Sequence, residues 1–422
     1  MTTAAKPKIV VLGGGFGGLE SAFYLRWKLK DRADMTLISD QPNFLFKPNT
    51  IYIPFGLDPD KLMFGLDKPT AKKDIEFINK AVVSIDPEVK KVELADGSSV
   101  GYDYLIVSTG AGMRASEIEG LSEHALTIWT PKQMQELGAG YDKVLADAKS
   151  GKSSEVLFLV PPNNKCSGPL YEMVQMFETW TRKQKIDDKV NVSWSTFEKG
   201  YIQAFGPKLN TAVEGEFDKR GIAGYREHVV TKVHADKVDY ANGASLPYDL
   251  LVSFPPYIAG TTFEGLPVDD RGFISTNLET RQVTGYPDIY AVGDIGDFPV
   301  KQAFLAFLQA DAAADHLAAR LMGTQPTALF EPTSMCVMEQ FDKATFAQVP
   351  LRLTGDPASP VAIRDEDEYL YKMGSNKAWR LGKKLLGFYL PWRFKAGEPF
   401  HAGAPWKGME VGLKIMSKIM AA

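Results

Sequence analysis

The sequence predicts an α/β chain: two doubly wound units with parallel sheets, then a C-terminal amphipathic helical region. Three observations predict it. An apolar strand at Lys8–Leu12 runs into the turn Gly13-Gly-Gly-Phe-Gly-Gly18 and then into a helical pattern from Leu19 to Leu25. A second apolar strand, Val156–Val160, also ends in a turn and opens a helical pattern from Leu170 to Lys183. From Asn376 onward, leucines and aromatics alternate with cations at helical spacing. Repeated strand–turn–helix order is the pattern of a parallel sheet with helices on its faces. At 422 residues, 45% apolar and 24% charged, the chain has room for two or three domains.

In the first unit Gly13, Gly15 and Gly18 fall as G-x-G-x-x-G between strand and helix. The first glycine permits the tight turn, the second lets backbone approach a pyrophosphate, and the third lets helix pack on strand. Gly14, Phe16 and Gly17 complete the loop, whose free N–H groups at the helix start suit an anion. This predicts a Rossmann-like dinucleotide site. The next strand ends at Ser39-Asp40, where an acceptor for the adenosine ribose is expected. Asp40 stands one place late and Ser39 holds the usual place; an ordinary polar turn is the alternative. The strand Tyr102–Val107 leads to Thr109-Gly110, a turn carrying the chain out to another domain. The strand Asp288–Val292 ends in Gly293-Asp294 before a helical pattern from Lys301 to Met322. Asp294 suits a ribityl hydroxyl, and the helix start suits the flavin edge that becomes anionic on reduction. The ordered set points to FAD. The expected boundaries are 1–110 with 270–325 for the FAD domain, 111–269 for a second Rossmann-like domain, and 326–422 for the C-terminal region.

The chain has two cysteines, Cys166 and Cys336. Cys166 stands where the second unit would carry a nicotinamide-binding glycine loop. Pro161-Pro-Asn-Asn-Lys165 occupies that turn instead, so the second site is degenerate and the chain reads as built for a flavin and a thiol. Two cysteines make no disulfide framework. Cys166 precedes a helical pattern, where a thiol pKa is expected to fall. Glu172, one turn on, is a candidate general base or proton relay, or a first-turn acid that complements the helix dipole. Cys336, flanked by Met335 and Val337, reads alone as core. The five histidines show no metal spacing and read as surface or structural, so no metal is expected.

The net charge of −4 excludes a generic nucleic-acid binder. The charge is uneven: residues 376–422 carry +7 and the remainder −11. A basic tail on an acidic body suggests a phospholipid surface. Met409, Leu413, Met416 and Met420 recur at helical spacing, Val411, Ile415 and Ile419 widen that face, and Lys414 and Lys418 lie opposite. This is the pattern of a helix lying in a lipid interface; a helix pair capping a core or a dimer seam is the alternative. Trp379, Trp392 and Trp406 suit the headgroup level. No signal peptide is recognised and no apolar run reaches the ~20 residues of a spanning helix. A peripheral protein of the cell's inner membrane is expected.

Together these residues resemble the sulfide:quinone oxidoreductases. They belong to the flavoproteins with two dinucleotide-binding domains, related to flavocytochrome c sulfide dehydrogenase and type II NADH dehydrogenase. The resemblance rests on Leu37-Ile-Ser-Asp40, Phe44-Leu-Phe-Lys-Pro48, Lys165-Cys-Ser-Gly-Pro-Leu-Tyr-Glu172, Tyr248-Asp-Leu-Leu-Val252 with Pro255-Pro256, and Met335-Cys-Val-Met-Glu339. It implies FAD, hydrogen sulfide or hydrosulfide as reductant, a membrane quinone as acceptor, and a redox pair of Cys166 and Cys336. It adds Lys47 and Val83 to the cofactor contacts. Hydrosulfide would attack the oxidised pair and leave a persulfide. Two electrons would pass through FAD to quinone, and sulfane sulfur would grow as polysulfide. Cys336 would be the flavin-proximal sulfur and Cys166 the carrier. Lys301 would stabilise reduced flavin or a quinone oxygen, and Phe346, Phe388 and Tyr389 would flank the quinone. A homo-oligomer is also expected. Two departures matter. Trp129 stands in Ile128-Trp-Thr130 where members often carry a third cysteine, and no cysteine near Pro42–Pro48 can tether FAD, so the cofactor should be non-covalent. The rivals are an NADH:quinone oxidoreductase, which predicts a glycine-rich second loop, another persulfide- or polysulfide-metabolising flavoprotein reductase, and a non-catalytic flavin-bound membrane scaffold.

Overall fold

The structure is a computed structural model that describes residues 5–357 and 359–421. Its first sheet has six strands in the order Gln282–Val283, Tyr286–Ala291, Tyr104–Val107, Lys8–Leu12, Asp34–Ser39, Ile75–Asn79. All neighbours run parallel except the first pair. Ile9, Val10, Val11 and Leu12 are all buried, as expected of a strand covered on both faces. The helices Phe16–Leu29 and Ala303–Met322 pack against each other. The close approach is possible because the second presents buried Ala306, Ala310, Ala313 and Ala314.

The second sheet has the order Leu126–Thr127, Leu250–Ser253, Ser154–Val160, Val190–Thr196, Ala223–Tyr225, all parallel. A short antiparallel pair, Ala111–Met113 with Tyr257–Ala259, carries the chain out of the first sheet and back. Gly260 N–H donates to Gly110 O at 2.9 Å where the two passes meet. Ligands of open α/β sheets bind beyond the carboxyl ends of the strands. Here those ends carry the glycine loop, Thr109-Gly110, Gly293-Asp294 and the turn before Cys166.

The C-terminal region begins with four antiparallel strands, Thr333–Glu339, Ala344–Leu353, Val361–Ile363 and Lys372–Asn376. Cys336 sits in the first, opposite Ala347. The helices Lys377–Lys395 and Gly403–Met420 follow. No helix among the described residues is long and apolar enough to cross a membrane. Arg220 pins this region to the second unit. Its guanidinium donates to Glu178 at 2.8 Å, to Thr179 at 2.6 Å and to Asp342 at 3.1 Å. Removing one partner of a buried ion pair strands the others. Arg220→Ala should therefore lower stability by roughly 3 kcal/mol, read as a lower denaturant midpoint; an unchanged midpoint would exclude the clamp.

Candidate active site

The two units and the C-terminal region enclose one long cavity of about 990 Å³. The glycine loop forms one end. Gly13 N–H donates to Ile38 O at 2.7 Å, and its φ of +100° suits glycine alone. A Cβ on Gly13 would stand 2.2 Å from Ser108 O, and one on Gly18 would stand 1.8 Å from Gly13 O. A Cβ on Gly15 would meet nothing within 4 Å, because that residue faces the cavity. The outer glycines are thus forced by packing, and the middle one leaves room for a ligand. Gly14, Phe16, Gly17, Ser39, Asp40, Lys47, Thr109, Gly110, Gly293, Asp294 and Lys301 line the same cavity. The buried Thr109 Oγ1 has no partner among the described residues. An extended flavin dinucleotide, with its run of phosphate, ribityl and ring acceptors, fits this donor set. Val83 does not line the cavity; the strand Val82–Asp86 alternates, so Val82 faces in and Val83 faces solvent.

The turn before Cys166 is tied up by its own side chains. Asn164 Nδ2 donates to Phe254 O at 2.8 Å, Asn164 Oδ1 accepts from Cys166 N–H at 3.0 Å, and Asn163 takes a left-handed φ of +63°. Pro161 and Pro162 offer no N–H to a phosphate. Cys336 arrives from the C-terminal sheet, its Sγ 3.9 Å from the position of a Cβ on Gly168. Both sulfurs line the cavity. Their thiols are not lowered, contrary to the expectation from a helix start. Burial, reinforced by the neighbouring Cys336, raises Cys166 well above its ordinary value. Burial, with Glu172 adding to it, pushes Cys336 up to about 12. Desolvation outweighs the helix dipole here.

Glu172 is buried and its pKa rises to about 7, because burial exceeds the opposing pull of Lys383. Lys383 Nζ donates to Glu172 Oε2 at 2.5 Å and to Val337 O at 2.9 Å, bridging the acid to the backbone beside Cys336. Behind them the buried Glu339 accepts from Tyr52 and Arg380, each at 2.7 Å. Sequence reasoning missed Lys383, Arg380 and Tyr52; the two cations were counted with the basic tail. Two lysines expected near the flavin are also strongly perturbed. Burial lowers Lys301 to about 7, with its ammonium 3.8 Å from the Phe273 ring centre and donating to Gly296 O. Burial lowers Lys47 to about 8, and its ammonium lies 3.4 Å over Trp129, a residue that also lines the cavity.

Three expected quinone contacts do not line the cavity. Phe346 is 2% exposed and stacks on Trp379 with ring centres 4.0 Å apart, inside a separate core cluster. Phe388 is 72% exposed on the outer helix face. Tyr389 is buried against Trp392 and Phe400. At 3.6 residues per turn Leu386 and Leu390 share the inner face, and Phe388 faces away. Phe304, Phe307, Phe400 and Trp406 complete this apolar end. Trp379, expected at a headgroup level, is core for the same reason. In the last helix Met409, Met416 and Met420 pack inward, while Val411, Ile415 and Ile419 are exposed.

The model of the pyridine nucleotide-disulphide oxidoreductase family matches residues 7–144 and 189–313. The unmatched stretch between them holds the Pro-Pro-Asn-Asn turn and Cys166. A sulfide-quinone reductase of Aquifex aeolicus is 34% identical over 312 residues, 69% of each chain. The chain belongs to the sulfide:quinone oxidoreductase family. A mitochondrial sulfide:quinone oxidoreductase of Dictyostelium discoideum is 24% identical over 311 residues, covering 71% of this chain and 67% of that one. The crystal structure of the Aquifex aeolicus sulfide:quinone oxidoreductase superposes with a TM-score of 0.83 at 24% identity, over 97% of this chain and 96% of that one.

As a sulfide:quinone oxidoreductase family member, the chain is a flavoprotein oxidoreductase whose cofactor is FAD. Its glycine loop tolerates no methyl group at residue 18. Gly18→Ala should therefore drop flavin occupancy from stoichiometric to near zero, read as the visible flavin absorbance of the purified protein. A variant that stays yellow would remove the loop from the cofactor site.

Proposed function

We propose that this chain oxidises sulfide to sulfane sulfur at Cys166 and Cys336 and passes the electrons to a membrane quinone. The convergence of the two sulfurs on one cavity wall, with Glu172 and Lys383 beside Cys336, carries this reading. Bound FAD would supply the two-electron link between the sulfur wall and the apolar end. The degenerate turn at Pro161–Lys165 argues against NADH as reductant.

The place of Glu172 and Lys383 beside Cys336 supports Cys336 as the leaving sulfur and Cys166 as the carrier. In the oxidised pair, hydrosulfide attacks Cys166 Sγ and the bond to Cys336 breaks. A sulfur whose thiol titrates near 12 leaves poorly as thiolate. Protonated Glu172 hands it a proton, so the products are a Cys166 persulfide, a Cys336 thiol and a Glu172 carboxylate. Closing the persulfide onto Cys336 releases two protons and two electrons, and Glu172 recovers one of the protons. The bridging sulfur is retained, and the next hydrosulfide lengthens it. Overall, sulfide loses two electrons, and quinone takes two electrons and two protons.

The exposed stripes Leu381, Leu385, Phe388 and Val411, Ile415, Ile419, set among cations, support a peripheral seat on a phospholipid surface. The apolar end of the cavity lies against these same helices, which suits an acceptor dissolved in lipid.

In an anaerobic titration, sulfide should bleach the flavin and NADH should not, and a soluble quinone analogue should restore the colour. Cys166→Ser and Cys336→Ser should each abolish bleaching by sulfide; full bleaching by NADH instead would overturn the assignment. At fixed hydrosulfide concentration, bleaching should slow as pH rises through about 7, where Glu172 loses its proton. Glu172→Gln should flatten that profile and slow the step by ~10²-fold. A profile unchanged in the variant would free Glu172 of this role.

A further inference from the structure

Glu20 lies early in the helix Phe16–Leu29, Asp311 midway along Ala303–Met322, and His401 in the loop before the last helix. One ligating atom of each lies within 4.8 Å of the others. Glu20 is fully buried, Asp311 is 8% exposed, and the His401 side chain is 8% exposed. Glu20 accepts from the N–H groups of Phe400 at 2.6 Å and His401 at 3.1 Å, and His401 Nδ1 lies 2.5 Å from Asp311 Oδ2. Asp311 Oδ1 and His401 Nε2 are buried with no partner among the described residues.

Two carboxyl groups facing each other in a dry interface need a cation between them, either a proton or a metal ion. Three protein groups fall short of the four to eight ligands that divalent ions take. Both Glu20 oxygens already hold backbone N–H groups. A shared proton fits better. The imidazole then stands one ring behind the apolar end of the cavity. Its centre is 4.4 Å from Trp406, 4.7 Å from Phe400 and 5.6 Å from Phe304, all of which line that end.

We propose that Glu20, Asp311 and His401 form a proton relay that delivers one of the two protons taken up by a quinone at this end. The proposal rests on the quinone reading above. His401 does not itself line the cavity, so as a quinone oxygen gains electrons the Nε2 proton passes to it when the Phe400 or Trp406 ring moves aside, and Nδ1 takes the proton shared by Asp311 and Glu20. Water recharges the carboxyl pair and supplies the second proton. His401 is the member of the cluster whose ring touches that end, and the two acids position and load it.

The electrostatics agree with this resting state. Burial, with Asp315 adding to it, raises Asp311 to about 7, and burial, with Asp311 adding to it, raises Glu20 well above its ordinary value. Burial lowers His401 to about 4, against the opposing pull of Glu20 and Glu410. The proton therefore rests on the carboxyl pair and the imidazole is neutral near pH 7. Asp315, paired to Lys28 at 2.7 Å, and Tyr24 face the same interface. Glu410 approaches from the last helix, and Arg393 holds the carbonyls of Pro399 and Ala402 in the His401 loop. The pair loses its shared proton only above the ordinary carboxylate range, so quinone reduction should slow as pH rises.

The test uses the flavin-loaded chain reduced with dithionite and mixed in stopped flow with a water-soluble ubiquinone analogue across neutral pH. In the wild type, flavin reoxidation should slow as pH rises and show a solvent deuterium effect. His401→Gln and Asp311→Asn should each slow it by ~10²-fold and flatten the profile, while bleaching by sulfide stays unchanged. An unchanged profile in His401→Gln would overturn the relay. So would a stoichiometric metal in the purified wild type that Glu20→Gln loses. If both variants lose flavin, the wild type decides, since a flat profile without a deuterium effect excludes the relay. Failure of sulfide to bleach the wild type would sink the sulfide reading and leave the dithionite experiment intact.

Discussion

The packing of the strand Thr333–Glu339 against the start of the helix Gly168–Gln184 is the constraint on which the sulfur wall depends. The helix after the Pro-Pro-Asn-Asn turn begins with Gly168, and Cys336 Sγ sits 3.9 Å from where its Cβ would be. A Cβ at residue 168 would meet that sulfur in ordinary van der Waals contact, so the closeness of strand and helix start, and not a forbidden side chain, brings the two cysteines to one wall. Lys383 closes the same joint from the helix Lys377–Lys395, donating to Glu172 on one side and to Val337 O on the other. Arg220 holds the far side of this joint by tying Glu178 and Thr179, on the helix that Gly168 opens, to Asp342.

Desolvation sets the chemistry of the cavity more than any single charge does. It is the largest cause of the shifts at Cys166, Cys336, Glu172, Lys47 and Lys301. Glu172 moves up and the two lysines move down, so three groups with very different ordinary values gather near neutrality, while the thiols move further from it. Groups poised there can exchange protons at little cost. Such a wall suits a reaction that sheds protons at sulfur and takes them up at a quinone.

The flavin loop is legible in the sequence because its glycines act locally, each meeting backbone a few residues away or one strand across. Cys166 is legible because it interrupts a turn where glycine is expected. Cys336 by itself reads as core and enters the pair only through the family resemblance, since an apolar strand carries it and tertiary register alone brings it to Gly168. The helix of the apolar end is misread by phase: a shift of two positions along a helix turns a side chain about 200°, so Phe388 faces out while Leu386 and Leu390 face in. Lys383 reads as one more cation of a basic tail until the fold buries it against Glu172. Glu20, Asp311 and His401 leave no pattern at all, being separated by nearly the whole chain.

The flavin sheet is stitched from two distant stretches: Tyr104–Val107 pairs with Tyr286–Ala291 only after the whole second unit has been made. During synthesis the early strands must therefore wait with an open edge, and Asp294 emerges last of the carboxylates that line the cavity. Nascent chains are exposed to edge-to-edge pairing for that interval. Cofactor capture then becomes a late event, coupled to closure of the sheet, and a cell short of riboflavin should accumulate chains stalled at that stage.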